Sequence, residues 1–169
     1  FDVYWNCDTL KNVFSVAELK DTYDSLGQFR NDFSYECVDN DIGNLNKFTI
    51  TVYASNNTYY SWNCHGCSNI FGCTGLRQKK YCILNKQYEK VEYEKLVPKI
   101  IKHMNDMPYV DAKGRVYKYG EFFPPELAPF SYNETIAQEY FPLTKEEALK
   151  QGYKWKEKEE RNYVIDIKN

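Results

Sequence analysis

The feature that most constrains this chain is a recurrence. Short aromatic or β-branched runs return along the first 86 residues: Val3-Tyr4-Trp5, Val13-Phe14, Thr22-Tyr23, Phe33-Ser34-Tyr35, Phe48 to Tyr53, Tyr59 to Trp62, Ile70-Phe71 and Tyr81-Cys82-Ile83. Their centres lie about 9 to 14 residues apart, with Asp, Asn, Ser and Gly between them. Apolar β-formers punctuated by turn formers are a strand and turn rhythm. A gapless comparison sharpens it. Trp5-Asn6-Cys7-Asp8-Thr9-Leu10-Lys11-Asn12-Val13-Phe14 aligns with Trp62-Asn63-Cys64-His65-Gly66-Cys67-Ser68-Asn69-Ile70-Phe71, an offset of 57 residues. Trp, Asn, Cys, Asn and Phe are identical, and Tyr23-Asp24-Ser25-Leu26 is a degenerate copy of Cys7-Asp8-Thr9-Leu10.

Such short strands cannot bury their side chains singly, but coils stacked on one another make a continuous core and pair the backbone. The expected fold is therefore mainly β in the first half, a short-coil β-solenoid. Two strands per turn give coils of about 20 residues, hence about four coils over residues 1–86. Large aromatics stacked in register between coils would account for 16 Tyr and 10 Phe. The alternative is an irregular antiparallel β sandwich plus helices.

From residue 87 the period changes, and residues 87–169 read as a helical, loop-rich region. Tyr93, Leu96, Val97, Ile100, Ile101 and Met104 follow helical spacing over Glu89 to Met104. Pro98 should kink this helix or open a second one. Asn133 is positioned to cap a short helix through Tyr140. Thr144-Lys145-Glu146-Glu147 is a capping box, with Gly152 as terminator. Tyr163 to Ile167 looks like one last strand.

Composition excludes some functions. Net charge is -2, which rules out a generally basic nucleic-acid coat. No apolar run approaches the ~20 residues of a membrane span, so no membrane is expected as a partner. Charge is uneven along the chain: residues 1–76 carry 9 acidic and 4 basic side chains, whereas residues 77–102 carry 3 acidic and 8 basic. A solvated face is the ordinary meaning of such a block. The sharper one is an anionic-partner surface built on Arg77, Lys79, Lys80 and Lys86, beside Phe71 and Tyr81.

The cysteines are the one candidate constellation for chemistry. Cys64, Cys67, Cys73 and Cys82 follow Cys-x2-Cys-x5-Cys-x8-Cys, with His65 embedded. Four thiols converging on one point, each ~2.3 Å from the metal, would hold zinc. Cys64, Cys73 and Cys82 are also evenly nine apart, which suits successive strands placing small thiols in a core. Core packing, zinc and disulfide all stand open, with core packing favoured. A thiol nucleophile needs a base in reach. His65 neighbours Cys64, but adjacent strand residues point to opposite faces, and His103 lies on the helix. No phosphate loop, dinucleotide fingerprint or serine-hydrolase elbow is present. Six cysteines in 169 residues fall well short of a disulfide scaffold, so a reducing, cytoplasmic location is expected. Asn56-Asn57-Thr58 and Asn133-Glu134-Thr135 fit the glycosylation pattern.

The stretch from Cys64 through Cys73-Thr74-Gly75-Leu76-Arg77, Tyr81-Cys82-Ile83-Leu84-Asn85-Lys86-Gln87-Tyr88 resembles an uncharacterised family common in environmental and uncultured bacterial genomes. So do Glu94 to Met104 and Tyr132 to Leu149. The resemblance covers about residues 59–155, and the earlier repeats loosely. Longer members of that family carry more Cys-rich repeats and end in Cys-x2-Cys zinc-ribbon-like segments. The resemblance implies that the Cys64 to Cys82 block is a family feature and adds weight to zinc. It implies no activity, since none is known for the family.

The functional expectation is a non-enzymatic scaffold or macromolecular-interaction module on a β-solenoid, with an unknown macromolecule or its own solenoid edges as partner. The alternatives are a zinc-dependent nucleic-acid-binding protein and a cysteine-dependent enzyme.

Overall fold

The computed structural model describes residues 3–4, 14–18 and 20–157. Trp5, Cys7 and the terminal Tyr163 to Ile167 run therefore lie outside the described residues. The first half is a β-solenoid. Strands β1 (Val3–Tyr4), β2 (Phe14–Ala17), β3 (Leu26–Asp32), β4 (Tyr35–Asn44), β5 (Lys47–Ile50), β6 (Asn56–Tyr59), β7 (Ser68–Phe71) and β8 (Lys80–Ile83) pair in sequence order, all parallel. From β2 onward the register is twelve residues without a slip: Phe14↔Leu26, Leu26↔Val38, Val38↔Ile50, Ile50↔Trp62, Trp62↔Thr74. Those five steps are five turns. The coil is thus twelve residues long, not the twenty expected from two strands per turn.

The reason is a corner at every third residue. From Glu18 to Leu84 every third position has positive φ. Phe33, Ile42, Leu45 and Thr51 are among them, at φ between +49° and +55°. A side-chain-bearing residue held there costs about 1–2 kcal/mol. The inter-coil backbone ladder offsets that strain. Each corner turns the chain, so four triplets close one coil. Each triplet has a corner, an inward and an outward residue.

The inward residues define the core. Thr22, Ser25, Gln28, Asn31, Ser34, Cys37, Asn40, Asn46, Thr49, Val52, Ser55, Thr58, Ser61, Cys64, Cys67, Ile70, Cys73 and Cys82 share this phase and are all buried. No described inward position holds an aromatic ring, and the aromatics stack in register from coil to coil, as expected. They stack on the outside: Phe48 lies face to face with Tyr60 one coil on, at 4.5 Å and 18°. Gly43 is the one inward position without a side chain. A β-carbon there would stand 2.7 Å from the Ser55 carbonyl oxygen and 2.8 Å from Asn31 Oδ1.

The last coil is closed off. Strand β9 (Lys86–Gln87) turns back antiparallel on β8. Asn85 then takes the place of a further coil: its Oδ1 accepts from the Thr74 N–H at 2.8 Å and its Nδ2 donates to the Thr74 carbonyl at 2.9 Å. Helix α1 (Lys90–Asp106) lays Tyr93, Leu96, Val97, Ile100, Ile101 and Met104 over Phe71 and Ile83. Pro98 lies within α1, which is assigned as one uninterrupted helix. Residues 116–123 cross the flank as a strap: Tyr60 Oη donates to the Glu121 carbonyl (3.1 Å) and accepts from the Gly120 N–H (3.0 Å). Tyr119 and Phe123 pack on the Tyr60 ring.

The chain forms two compact units, Phe1–Tyr109 with Val116–Phe123, and Val110–Arg115 with Pro124–Asn169. In the second unit a single turn at Tyr132–Glu134 is capped by Ser131 rather than Asn133, whose side chain instead pairs with the Lys156 backbone. Helix α2 (Ala137–Tyr140) is followed by α3 (Lys145–Gln151), which carries the Thr144/Glu147 capping box and ends on Gly152 at φ +88°. No helix among the described residues is long and apolar enough to cross a membrane.

Gly43→Ala should lower stability by about 1–3 kcal/mol through overpacking, read as a lower urea midpoint at unchanged slope. An unchanged midpoint would show that the interior at this rung is not filled.

Candidate functional site

The residues expected to carry chemistry lie in the bore, and backbone bookkeeping explains why they are there. The outward N–H of each triplet donates to an inward carbonyl on the next coil, as in Tyr35 to Asn46 (3.1 Å) and Trp62 to Cys73 (2.9 Å). The corner N–H donates to an outward carbonyl on the preceding coil, as in Thr51 to Val38 (2.8 Å). The inward N–H has no place in this ladder. A buried unpaired N–H costs about 1–3 kcal/mol, and in five of the column steps the side chain one coil earlier accepts it. Cys37 N–H donates to Ser25 Oγ, Val52 to Asn40 Oδ1, Thr58 to Asn46 Oδ1, Cys67 to Ser55 Oγ and Cys73 to Ser61 Oγ, at 3.0 to 3.3 Å.

Inward side chains also donate along a second line, nine residues ahead. Asn31 Nδ2 reaches the Asn40 carbonyl (2.8 Å) and Asn46 Nδ2 the Ser55 carbonyl (3.0 Å). Cys37 Sγ reaches the Asn46 carbonyl (3.2 Å), Cys64 Sγ the Cys73 carbonyl (3.6 Å) and Cys73 Sγ the Cys82 carbonyl (3.5 Å). Nine residues is one coil less one triplet. The even spacing of Cys64, Cys73 and Cys82 is this line. The four cysteines fall in four different columns of the bore, packed with Val52, Ile70 and Leu76.

This arrangement suits thiols, not thiolates. Burial pushes the Cys37, Cys73 and Cys82 thiols above their ordinary range and Cys64 from 9.0 to about 11. Each donates to a carbonyl, which requires the proton to stay. Zinc requires converging, deprotonated sulfurs. No group of three or more His, Cys, Asp or Glu side chains among the described residues is placed to hold a metal ion. The five described cysteines are free, without disulfides.

His65 is turned outward, with its ring edge-on to Tyr53 at 4.8 Å. Desolvation and the nearby Arg77 charge lower its pKa. The Cys64 thiol points inward, so the two adjacent residues make no nucleophile–base pair. The basic candidates ring the last coil separately. Arg77 donates to the Asn63 carbonyl (2.6 Å) and Oδ1 (3.2 Å). Lys79 occupies an inward phase, but this rung is the last and it is exposed. Lys80 is exposed on β8, and Lys86 Nζ lies 5.1 Å from the Tyr88 ring centre. Sequence reasoning missed Asn31, Asn40, Asn46 and Thr49 as parts of the same network as the cysteines. Their signal was a small polar residue at every third position.

The geometry defines a class: a twelve-residue-coil β-solenoid with a hydrogen-bonding bore. Compared with models of known protein families and with curated proteins, the chain matches none.

The thiol shifts give a pH window. A thiol whose folded pKa is raised stabilises the fold fully below its unfolded value near 9 and loses that contribution as pH rises through about 11. The urea midpoint should stay level from pH 7 to 8.5 and fall between pH 9 and 11. At pH 8, Cys64 in the folded protein should alkylate about a hundredfold more slowly than after unfolding. Rapid alkylation of the folded protein would contradict the neutral, bonded state.

Proposed function

We propose that the chain is a non-enzymatic interaction scaffold that presents a solenoid flank to another macromolecule. The carrying observation is the division of labour within the triplet. The buried thiols each donate to a backbone carbonyl and, like the inward amides and hydroxyls, lie in the bore away from the outward-facing His65, so no nucleophile–base pair forms there. The outward positions carry the features that recognise a surface. Trp62 is 45% exposed, Leu26 41%, and Arg77 and Lys80 flank the last coil. Exposed aromatic and Arg side chains on a rigid frame are the usual anchors of macromolecular contact.

A photo-cross-linking residue placed at position 62 or 26 should yield discrete adducts in cells, whereas one placed at the exposed Lys95 of α1 should not. Adducts absent from all outward solenoid positions would count against a scaffold. Stoichiometric zinc in the purified protein, with salt-sensitive retention of DNA or RNA that depends on Lys79, Lys80 and Lys86, would overturn it in favour of a nucleic-acid binder.

A further inference from the structure

One outward column is apolar along four consecutive rungs. Leu26, Val38, Ile50 and Trp62 lie in direct register. The two end members are exposed and the two between are half-buried. At ~4.8 Å per rung the stripe is about 14 Å long. One of its corners carries Asp24 and Glu36 and then the strap-covered Phe48 and Tyr60. The other corner is the column Gly27, Asp39, Thr51, Asn63, and it is charged in opposite senses at two levels. Asp39 stands beside Val38, and the Arg77 guanidinium is held against Asn63 beside Trp62. Asp39 Oδ2 accepts the Tyr53 hydroxyl at 2.7 Å, which leaves its second oxygen for another donor.

We propose that this flank pairs with the same flank of a second copy of the chain, in an antiparallel two-fold arrangement. The inference rests on the scaffold reading and names its partner. Both copies have the same rung spacing, so their stripes mesh rung for rung. A two-fold axis crossing the face at the Ile50 rung sets Ile50 on Ile50 and Val38 on Trp62. It also sets the Asp39 level of each copy opposite the Arg77 level of the other, which makes two equivalent ion pairs at the rim. Any register displaced by a rung loses both pairs, so charge selects the alignment and the apolar stripe supplies the contact. The patch is well below the ~800 Å² per partner of a standard interface, so the dimer is weak, with dissociation in the micromolar range or above.

Sedimentation velocity over a concentration series tests this. The wild-type protein should show concentration-dependent dimers. Ile50→Glu should abolish them, with its circular dichroism and dilute-solution melting unchanged. Asp39→Arg and Arg77→Asp should each weaken dimerisation about tenfold, because the two-fold axis applies every change twice, and the double variant should restore it. The charge exchange keeps the test decisive if Ile50→Glu fails to fold. A wild-type protein monomeric throughout, or dimers indifferent to both changes, would overturn the proposal. Adducts at position 62 to another macromolecule, from a monomeric chain, would retire self-pairing and leave the scaffold reading standing.

Discussion

The structure depends on one leftover donor. In a twelve-residue coil with four corners, the ladder between coils uses the outward and corner N–H groups and strands the inward one. Ordinary cores solve burial with aliphatic side chains. Here an aliphatic residue at every inward position would orphan a buried N–H at every triplet, at about 1–3 kcal/mol each. Ser25, Asn40, Asn46, Ser55 and Ser61 accept those bonds instead. Small polar residues and Cys are the types that fit the width and still reach the backbone. The polar side chains of the core thus serve the backbone of so tight a coil at these five steps.

The narrow bore leaves hydrophobic burial to the outside. The outward Phe71 and Ile83 are buried under α1, and the corner residue Phe48 is buried against Tyr60 and against Tyr119 of the strap. The aromatic excess thus belongs to an external seam that fastens helix and strap to the coils. The exposed strand edge of the last coil is dealt with by side-chain mimicry from Asn85 and by the charges of Arg77, Lys79 and Lys80. Both are recognised ways to stop a sheet from growing.

The solenoid was legible because the recurrence of strand and turn is written in large residues. The coil length was not, because those large residues mark outward faces once per coil, and the triplet that sets the geometry is carried by Ser, Thr, Asn and Cys. The 57-residue offset between Trp5 and Trp62 is nineteen triplets. It is not a whole number of twelve-residue coils, and Trp5 itself lies outside the described residues. Core cysteines followed from their nine-residue rhythm, yet the reason for nine, a thiol reaching a carbonyl one coil less one triplet ahead, needed coordinates. The Thr144 box and Gly152 were readable outright, because a helix cap is a local motif, whereas Ser131 displaced Asn133 through a contact with Lys156 distant in sequence.

The bore also changes character along its axis. From Thr22 to Thr49 its wall is hydroxyl, amide and thiol around Gly43, while from Val52 onward Ser55, Thr58 and Ser61 are joined by Cys64, Cys67, Ile70, Cys73, Leu76 and Cys82. Hydrogen bonds between coils gain little net free energy until a neighbour is in place, whereas apolar contact is gained on collapse. The earlier coils are thus bound to one another chiefly by directional bonds and the later ones also by buried sulfur and methyl groups, so the two ends of one bore differ in what holds them.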